Sequence, residues 1–212
     1  TRFGLKTNPT RKKISPKTNY SLAGHYTHGE GYYEQEKLDQ NLTDYNLSNI
    51  IIGNDTIYNT DLIRRKWLNN DFGGVTYSLN HKMDKLDLIF GGAYNKYSGQ
   101  HYGNVIWSEF ASNGNFEHEY YRNIATKFDN NVFLKASFMA SDNTLLFADL
   151  QLRNIDYEFN GNDIGGNLGR QNVQLDFFNP KFGLTHQINK NQMLYSSYSV
   201  ANKEPNRADY VE

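Results

Sequence analysis

The sequence predicts an all-β chain laid out as an antiparallel up-and-down meander, and three observations carry that prediction. Apolar residues recur at every second position rather than every third or fourth. The polar connections between these runs alternate strictly between short and long. Hydrophobicity is concentrated in rings with polar tips: aromatics make up 15% of 212 residues, with 16 Tyr and 13 Phe against 2 Trp, while the apolar share is 38%. A compact soluble core draws more on Leu, Ile and Val. Tyr-rich sets suit the boundary between an apolar medium and water.

Seven strands follow in order, at about 19–33, 71–81, 86–97, 128–140, 144–158, 174–188 and 193–200. In the first, Tyr20, Leu22, Gly24 and Tyr26 oppose Asn19, Ser21, Ala23 and His25. In the second, Val75, Tyr77 and Leu79 oppose Thr76, Ser78 and Asn80. In the third, Leu86, Leu88, Phe90, Gly92 and Tyr94 form a stripe against the mixed set Asp87, Ile89, Gly91, Ala93 and Asn95. Val132, Leu134, Ala136, Phe138 and Ala140 oppose Phe133, Lys135, Ser137 and Met139 in the fourth. Leu146, Ala148, Leu150 and Leu152 oppose Phe147, Asp149, Gln151 and Arg153 in the fifth. In the last, Leu194, Tyr198 and Val200 oppose Tyr195, Ser197 and Ser199. Each reads as a strand with one apolar and one polar face.

The connections separate the architectures. Short polar turns fall at 82–85, 141–143 and 189–191, and long Asn- and Gly-rich connections at 34–70, 98–127 and 159–173. A transmembrane β-barrel has this alternation, with tight turns at its periplasmic end and long outer loops. Most of the runs reach the ~9–11 residues that a membrane strand needs. Bacterial barrels begin at about eight strands, and an open edge in lipid leaves unpaired backbone groups. Seven strands therefore predict a segment of a larger barrel, or else a fold that is not a barrel. A soluble secreted β-rich binding module, for instance a glycan-binding sandwich, is the rival reading, and a mean hydropathy of −0.76 favours it.

Charge and motifs exclude other classes. Lys plus Arg is 22 and Asp plus Glu is 23, so nothing argues for a nucleic-acid partner. There is no cysteine, which removes disulfides, thiolate metal sites and thiol nucleophiles. No hydrolase elbow or Ser-His-Asp spacing occurs, and the Gly161–Arg170 run lacks the Lys-Ser/Thr of a phosphate loop; it reads as a flexible outer loop. No enzyme and no cofactor is expected. The longest apolar run, Leu88 to Tyr94, is far too short for a membrane helix. The chain starts at Thr1-Arg2-Phe3 and stops at Tyr210-Val211-Glu212, so both ends are expected to be cut.

Candidate binding residues are fewer. His25 and His28 are three apart on a strand and point to opposite faces, so they are not expected to share a metal. His101 and His118 fall in one expected long loop with Glu117 and Glu119, a weak chelate pattern. In the same loop Tyr102, Trp107, Phe110, Phe116, Tyr120 and Tyr121 offer rings that stack on sugars or planar chelates, or that pack the loop itself. Of these, Tyr102, Trp107, Phe110, Tyr120 and Tyr121 are the ligand candidates. Arg11-Lys12-Lys13 and Arg64-Arg65-Lys66 read as solvated charge near strand ends, with anionic lipid as the other reading.

Several stretches resemble TonB-dependent outer-membrane receptors of the Bacteroidetes type. They are Ser21-Leu22-Ala23-Gly24-His25-Tyr26-Thr27-His28-Gly29-Glu30-Gly31-Tyr32-Tyr33-Glu34, the run Thr60 to Phe72, and Phe178-Asn179-Pro180-Lys181-Phe182-Gly183-Leu184-Thr185. Most specific is that last stretch followed by Tyr195-Ser196-Ser197-Tyr198-Ser199-Val200-Ala201-Asn202-Lys203-Glu204-Pro205-Asn206-Arg207. The family pattern there has Arg where this chain has Lys203, which keeps the charge and loses bidentate bonding. Phe72-Gly73-Gly74 is one aromatic residue shorter than the usual form. The resemblance implies that residues 1–212 are the central part of a 22-stranded barrel domain, without its plug. It implies a bacterial outer membrane location, outer-membrane lipid around the wall, and a TonB complex acting through the absent plug. It also implies a small-molecule nutrient as cargo, first a ferric siderophore or similar chelate, and a structural role for residues 202–207.

Overall fold

In a computed structural model the protein is described over residues 2–6, 10–110, 117–163 and 166–205. Its elements are β1 (Arg2–Lys6), β2 (Thr10–Ser15), β3 (Thr18–Asn41), a 3-10 turn (Leu42–Tyr45), β4 (Ile50–Ile52), β5 (Asp55–Ile57), β6 (Asn59–Lys82), β7 (Leu86–Ser108), β8 (His118–Ser141), β9 (Thr144–Asp163), β10 (Gly166–Asn189) and β11 (Gln192–Ser199). One antiparallel sheet runs β1-β3-β6-β7-β8-β9-β10-β11, with β2 also on the β3 edge, and β4 and β5 form a separate small ribbon. From β3 onward each long strand pairs with the next in sequence, the meander that the alternation predicts.

All seven predicted strands are present, and most extend much further at one end. β3 continues from Tyr33 to Asn41, β6 begins at Asn59 rather than Asp71, β7 runs to Ser108, and β8 starts at His118. The long loops expected at 34–70, 98–127 and 159–173 are therefore mostly strand. Among the described residues of these stretches, what lies outside the sheet is 42–58, which holds the 3-10 turn and the β4–β5 ribbon, with Glu109, Phe110 and Glu117. The glycine-rich run expected as a flexible loop is hairpin: β9 reaches Asp163 and β10 resumes at Gly166. The reason is physical. In these upper halves the outer face is no longer held apolar by lipid, and the inner face is apolar only where the 42–58 loop packs on it, so side-chain alternation fades while the backbone ladder continues. The shortest expected turns agree: Lys190 and Asn191 alone join β10 to β11, and Asp142 and Asn143 join β8 to β9.

Register aligns the predicted stripes on one face. Tyr77 pairs with Leu22 and Gly92, Gly92 with Val132, Val132 with Leu152, and Leu152 with Phe178. One rung lower, Leu79, Phe90, Leu134, Leu150 and Pro180 are in line. Leu22, Phe90, Leu134, Leu152, Phe178 and Phe182 stay exposed, and among the described residues no second sheet covers them. A sandwich buries such a stripe, and a barrel gives it to lipid. The band runs from the turns up to the rung of Tyr94, Asn130, Asn154 and Asp176.

The opposite, inner face is mixed over the same height, with Ile89, Phe133 and Phe147 among charged and amide side chains. Lys135 pairs with Asp149 at 3.1 Å and Arg153 with Asp129 at 2.6 Å. Above the band the ladder slips by a residue at four places: between Lys37 and Gln40, between Ile63 and Arg64, between Gly103 and Asn104, and between Asn167 and Gly169.

Candidate functional site

The upper inner face holds the main buried apolar cluster of the described residues. Asn41 starts the 3-10 turn by accepting the Thr43 N–H at 3.0 Å, and Asn46 ends it in the left-handed region at φ 56°. The turn delivers Leu42, Tyr45 and Leu47 onto Leu62, Val105 and Tyr120. The Tyr45 and Tyr120 rings lie 4.7 Å apart. Polar bonds then lock the loop: Arg64 donates to the Tyr45 hydroxyl at 3.0 Å, and Asn46 donates to the Tyr120 carbonyl at 2.7 Å. The His118 Nε2 lies 2.9 Å from the Tyr45 carbonyl oxygen. Burial pushes both the Tyr45 and Tyr120 phenols above their ordinary value, against the opposing pull of Arg64.

Directly below this cluster a groove of about 730 Å³ crosses β3, β6, β7 and β8 on the inner face. Its register is simple. Tyr33 pairs with Lys66, Gly31 with Leu68, and Gly29 with Asn70; His101 and Tyr121 follow on the next two strands. Two glycines spaced by two on β3 strip that face of side chains, and a Cβ at Gly31 would meet nothing within 4 Å. The Lys66 Nζ stands 5.8 Å from the Tyr121 ring centroid, a cation over a π face. The groove thus offers an ammonium, an imidazole, a carboxamide, two phenols and an apolar floor at Leu68. That set suits an anionic or acceptor-rich ligand with planar parts.

The sequence-predicted ligand candidates are dispersed. Tyr121 lines the groove and Tyr120 lies in the cluster above it, their rings 5.0 Å apart. Tyr102 points away, onto the outer face, in a cross-strand stack. Arg65 lies over Tyr32 at 4.5 Å, Tyr32 is 4.5 Å from Trp67, Trp67 stacks on Tyr102 at 5.8 Å, and Arg122 covers Tyr102 at 4.3 Å. Trp107 is 51% exposed near the end of β7. Phe110 opens the outer connection, its N–H bonded to the Thr60 hydroxyl at 2.9 Å. Phe116 lies outside the described residues. Among the described residues, Tyr102, Trp107, Tyr120 and Tyr121 are strand residues, not loop residues.

The weak chelate pattern is not assembled. His118 is on the Tyr45 carbonyl, Glu119 is held by Arg122 at 2.5 Å, and Glu117 faces Arg65 at 3.8 Å. His25 and His28 do diverge: His25 lies 5.1 Å from the Phe72 ring, and His28 is 2.9 Å from the Asp71 carboxylate. The basic triplet is split by the pleat, with Arg64 inward on Tyr45, Arg65 outward on Glu34 at 2.9 Å, and Lys66 in the groove.

The motif after β11 crosses the inner face. Val200 donates to the Pro180 carbonyl at 3.0 Å, and proline has no N–H to continue the ladder there. Asn202 then donates to the Asn179 side chain at 2.9 Å and to the Phe178 carbonyl at 3.0 Å. Glu204 accepts from Lys127 at 2.7 Å and lies 3.6 Å from Arg153. Lys203 and Pro205 flank that carboxylate, and Asn206 and Arg207 lie outside the described residues.

Residues that sequence reasoning missed are Tyr33, Lys66, Leu68, Asn70 and His101 as one surface. The spacing by two of Gly29 and Gly31 and of Lys66, Leu68 and Asn70 carries the signal, once the strands are known to extend that far.

Comparison with known proteins places this geometry. The family model described as TonB dependent receptor-like, beta-barrel matches residues 2–212. Among solved structures, the ferric yersiniabactin uptake receptor FyuA from Yersinia pestis is similar at 10% identity and a TM-score of 0.32. That match covers 92% of this chain and 43% of that one. No curated protein matches the chain. The chain spans less than half of the receptor it matches. With the whole described wall inside the family model, a mixed inner face and an uncovered apolar outer band, this chain belongs to the TonB-dependent receptor β-barrel family of the bacterial outer membrane.

Proposed function

We propose that this chain is the central wall of a receptor that imports a nutrient across the outer membrane, energised by a TonB complex acting through a plug domain. The cargo we favour is a ferric siderophore or a similar anionic metal chelate. The observation that carries this reading is the inner-face groove, in which Lys66, His101, Asn70, Tyr33 and Tyr121 converge over a glycine-cleared floor above the membrane band. A chelate with carboxylate or phenolate oxygens finds donors there, and its planar parts find the Tyr33 and Tyr121 rings. The packed 42–58 loop abuts Tyr121, which lines the groove. The full-length receptor, expressed in iron-starved cells, tests the reading. Gly31→Trp fills the groove without displacing backbone, so uptake of the chelate should fall while the folded protein remains in the membrane. Lys66→Ala should weaken binding of an anionic chelate and leave a neutral one unaffected. Growth on scarce iron that does not depend on the gene would overturn the cargo assignment.

A further inference from the structure

The outer face carries a second depression, of about 590 Å³, which the import reading does not use. It crosses β7 to β10 where the apolar band meets the polar upper wall. Its lower side is Tyr77, Val132, Leu152 and Phe178, and its upper side is Tyr94, Asn130, Asn154 and Asp176. The registers put each set on a single rung. Between Tyr77 and Val132 the lower rung holds Gly92, and Tyr77 lies across it, so that a Cβ there would strike the Tyr77 ring. The groove is therefore an amphipathic slot, apolar below and amide or carboxylate above. From β6, which supplies Tyr77, to β10 it spans four strand spacings of about 4.8 Å each, roughly 19 Å. One leaflet of hydrocarbon is about 15 Å deep, so an acyl chain fits along it.

The polar side is rich in acceptors. Asp176 accepts from Asn154 at 2.8 Å. The buried Asn130 Oδ1 has no hydrogen-bond partner, so a donor arriving beside it gains a bond that the protein does not make. Asp156 adds a second carboxylate one rung up on β9, next to Asp176. The nearest cations on this face are engaged elsewhere: Lys96 stands 5.3 Å over the Phe128 ring, at the β7 end, and Arg170 is held by Glu158 at 2.7 Å. The β9–β10 end is thus anionic, which disfavours a phosphate-only head and favours an ammonium.

We propose that this slot binds a membrane lipid with an ammonium-bearing head, its acyl chain lying along the Tyr77–Phe178 side and its ammonium at Asp176. The slot opens directly into the band that the family places against lipid, so the occupant comes from the bilayer rather than from solution. Native mass spectrometry of the full-length receptor tests this, with phosphatidylethanolamine and phosphatidylglycerol of identical acyl chains supplied in equal amounts. The ethanolamine lipid should be retained in preference by about fivefold, the scale of a partly exposed ion pair. Asp176→Asn should bring that ratio close to one without lowering total lipid. Leu152→Trp, which fills the slot, should cut ethanolamine-lipid retention severalfold, and Val132→Phe serves if that variant does not fold. Heat-modifiable gel mobility reports folding for each. Equal retention of the two lipids by the unaltered receptor would overturn the proposal, as would preference for the glycerol lipid or indifference to filling the slot. Efficient Leu152→Cys cross-linking between copies in membranes would overturn it too, because a second copy would then be the occupant.

Discussion

The lower and upper halves of this wall are built on one uninterrupted backbone ladder, yet they are held together differently. Below the rung of Tyr94 and Asn130 the outer face is aliphatic and aromatic and the inner face carries the Lys135–Asp149 and Arg153–Asp129 pairs. Above it the outer face is a stack of rings and guanidinium groups, Arg65–Tyr32–Trp67–Tyr102–Arg122, and the inner face carries the apolar cluster under the 42–58 loop. The apolar side changes from outside to inside as the strands leave the membrane. Solvent explains the reversal. Lipid takes apolar side chains from the outer face, whereas above the membrane only the interior excludes water.

That contrast can be broken by substitution, and the largest effect belongs in the lipid band. Leu150→Arg should destabilise the refolded full-length receptor by about 2–4 kcal/mol, as charge on a lipid face does. Ser98→Arg, on the same face above the band, should be close to neutral. Urea titration in lipid vesicles measures both, and equal costs would erase the distinction between the halves.

The inner-face pair is next. Lys127→Ala leaves Glu204, which is mostly buried, without its closest cation. A loss of about 1.5–3 kcal/mol is expected, with faster hydrogen exchange in the 200–205 segment. Glu204→Gln should cost less, because the carboxamide oxygen still accepts from Lys127.

In the upper wall, Trp67→Ala removes the centre of the ring stack and should cost about 0.5–1.5 kcal/mol per ring contact beyond lost area. The faster hydrogen exchange should be confined to β6 and β7 above Asn70. Spread of that change into the lipid band would mean that the two halves are not independent.

The smallest effect is a pH dependence of the loop. Tyr45 and Tyr120 have phenols raised by burial above the unfolded value of 10.0. Their contribution to docking is therefore complete below pH 10 and declines as pH rises through the higher folded values. Tyrosinate absorbance should show these two rings ionising above the pH of free tyrosine, and Tyr45→Phe should remove one of them while leaving the cluster packed.

The same contrast explains what the sequence could disclose. In the lipid band one face is forced to be apolar, so Leu86, Leu88 and Phe90, or Leu146, Leu150 and Leu152, announce both the strand and its orientation. In the upper halves Glu30, Tyr32 and Glu34 alternate with Gly31 and Tyr33, and no periodicity separates strand from loop; the ladder there rests on cross-strand partners tens of residues away. Hence Tyr102 and Tyr120 read as loop rings, although one belongs to the outer stack and the other to the buried cluster. The groove was hidden for the same reason, since Lys66 and His101 become neighbours only through a register that single-strand patterns do not encode. The Asn202-to-Pro205 stretch stands out in the sequence, but its path over the inner face, bonding back to Asn179 and Phe178, comes only from the fold.

The register slips near Lys37, Ile63, Gly103 and Asn167 sit between the outer connections and everything beneath them. A one-residue insertion or deletion in the outer parts can be absorbed at such a joint without rotating the strands under it, which would otherwise exchange their lipid-facing and water-facing sides. The joints make the mouth of the receptor interchangeable: grafts cut above them should be accepted by a foreign wall, and grafts cut below them should not.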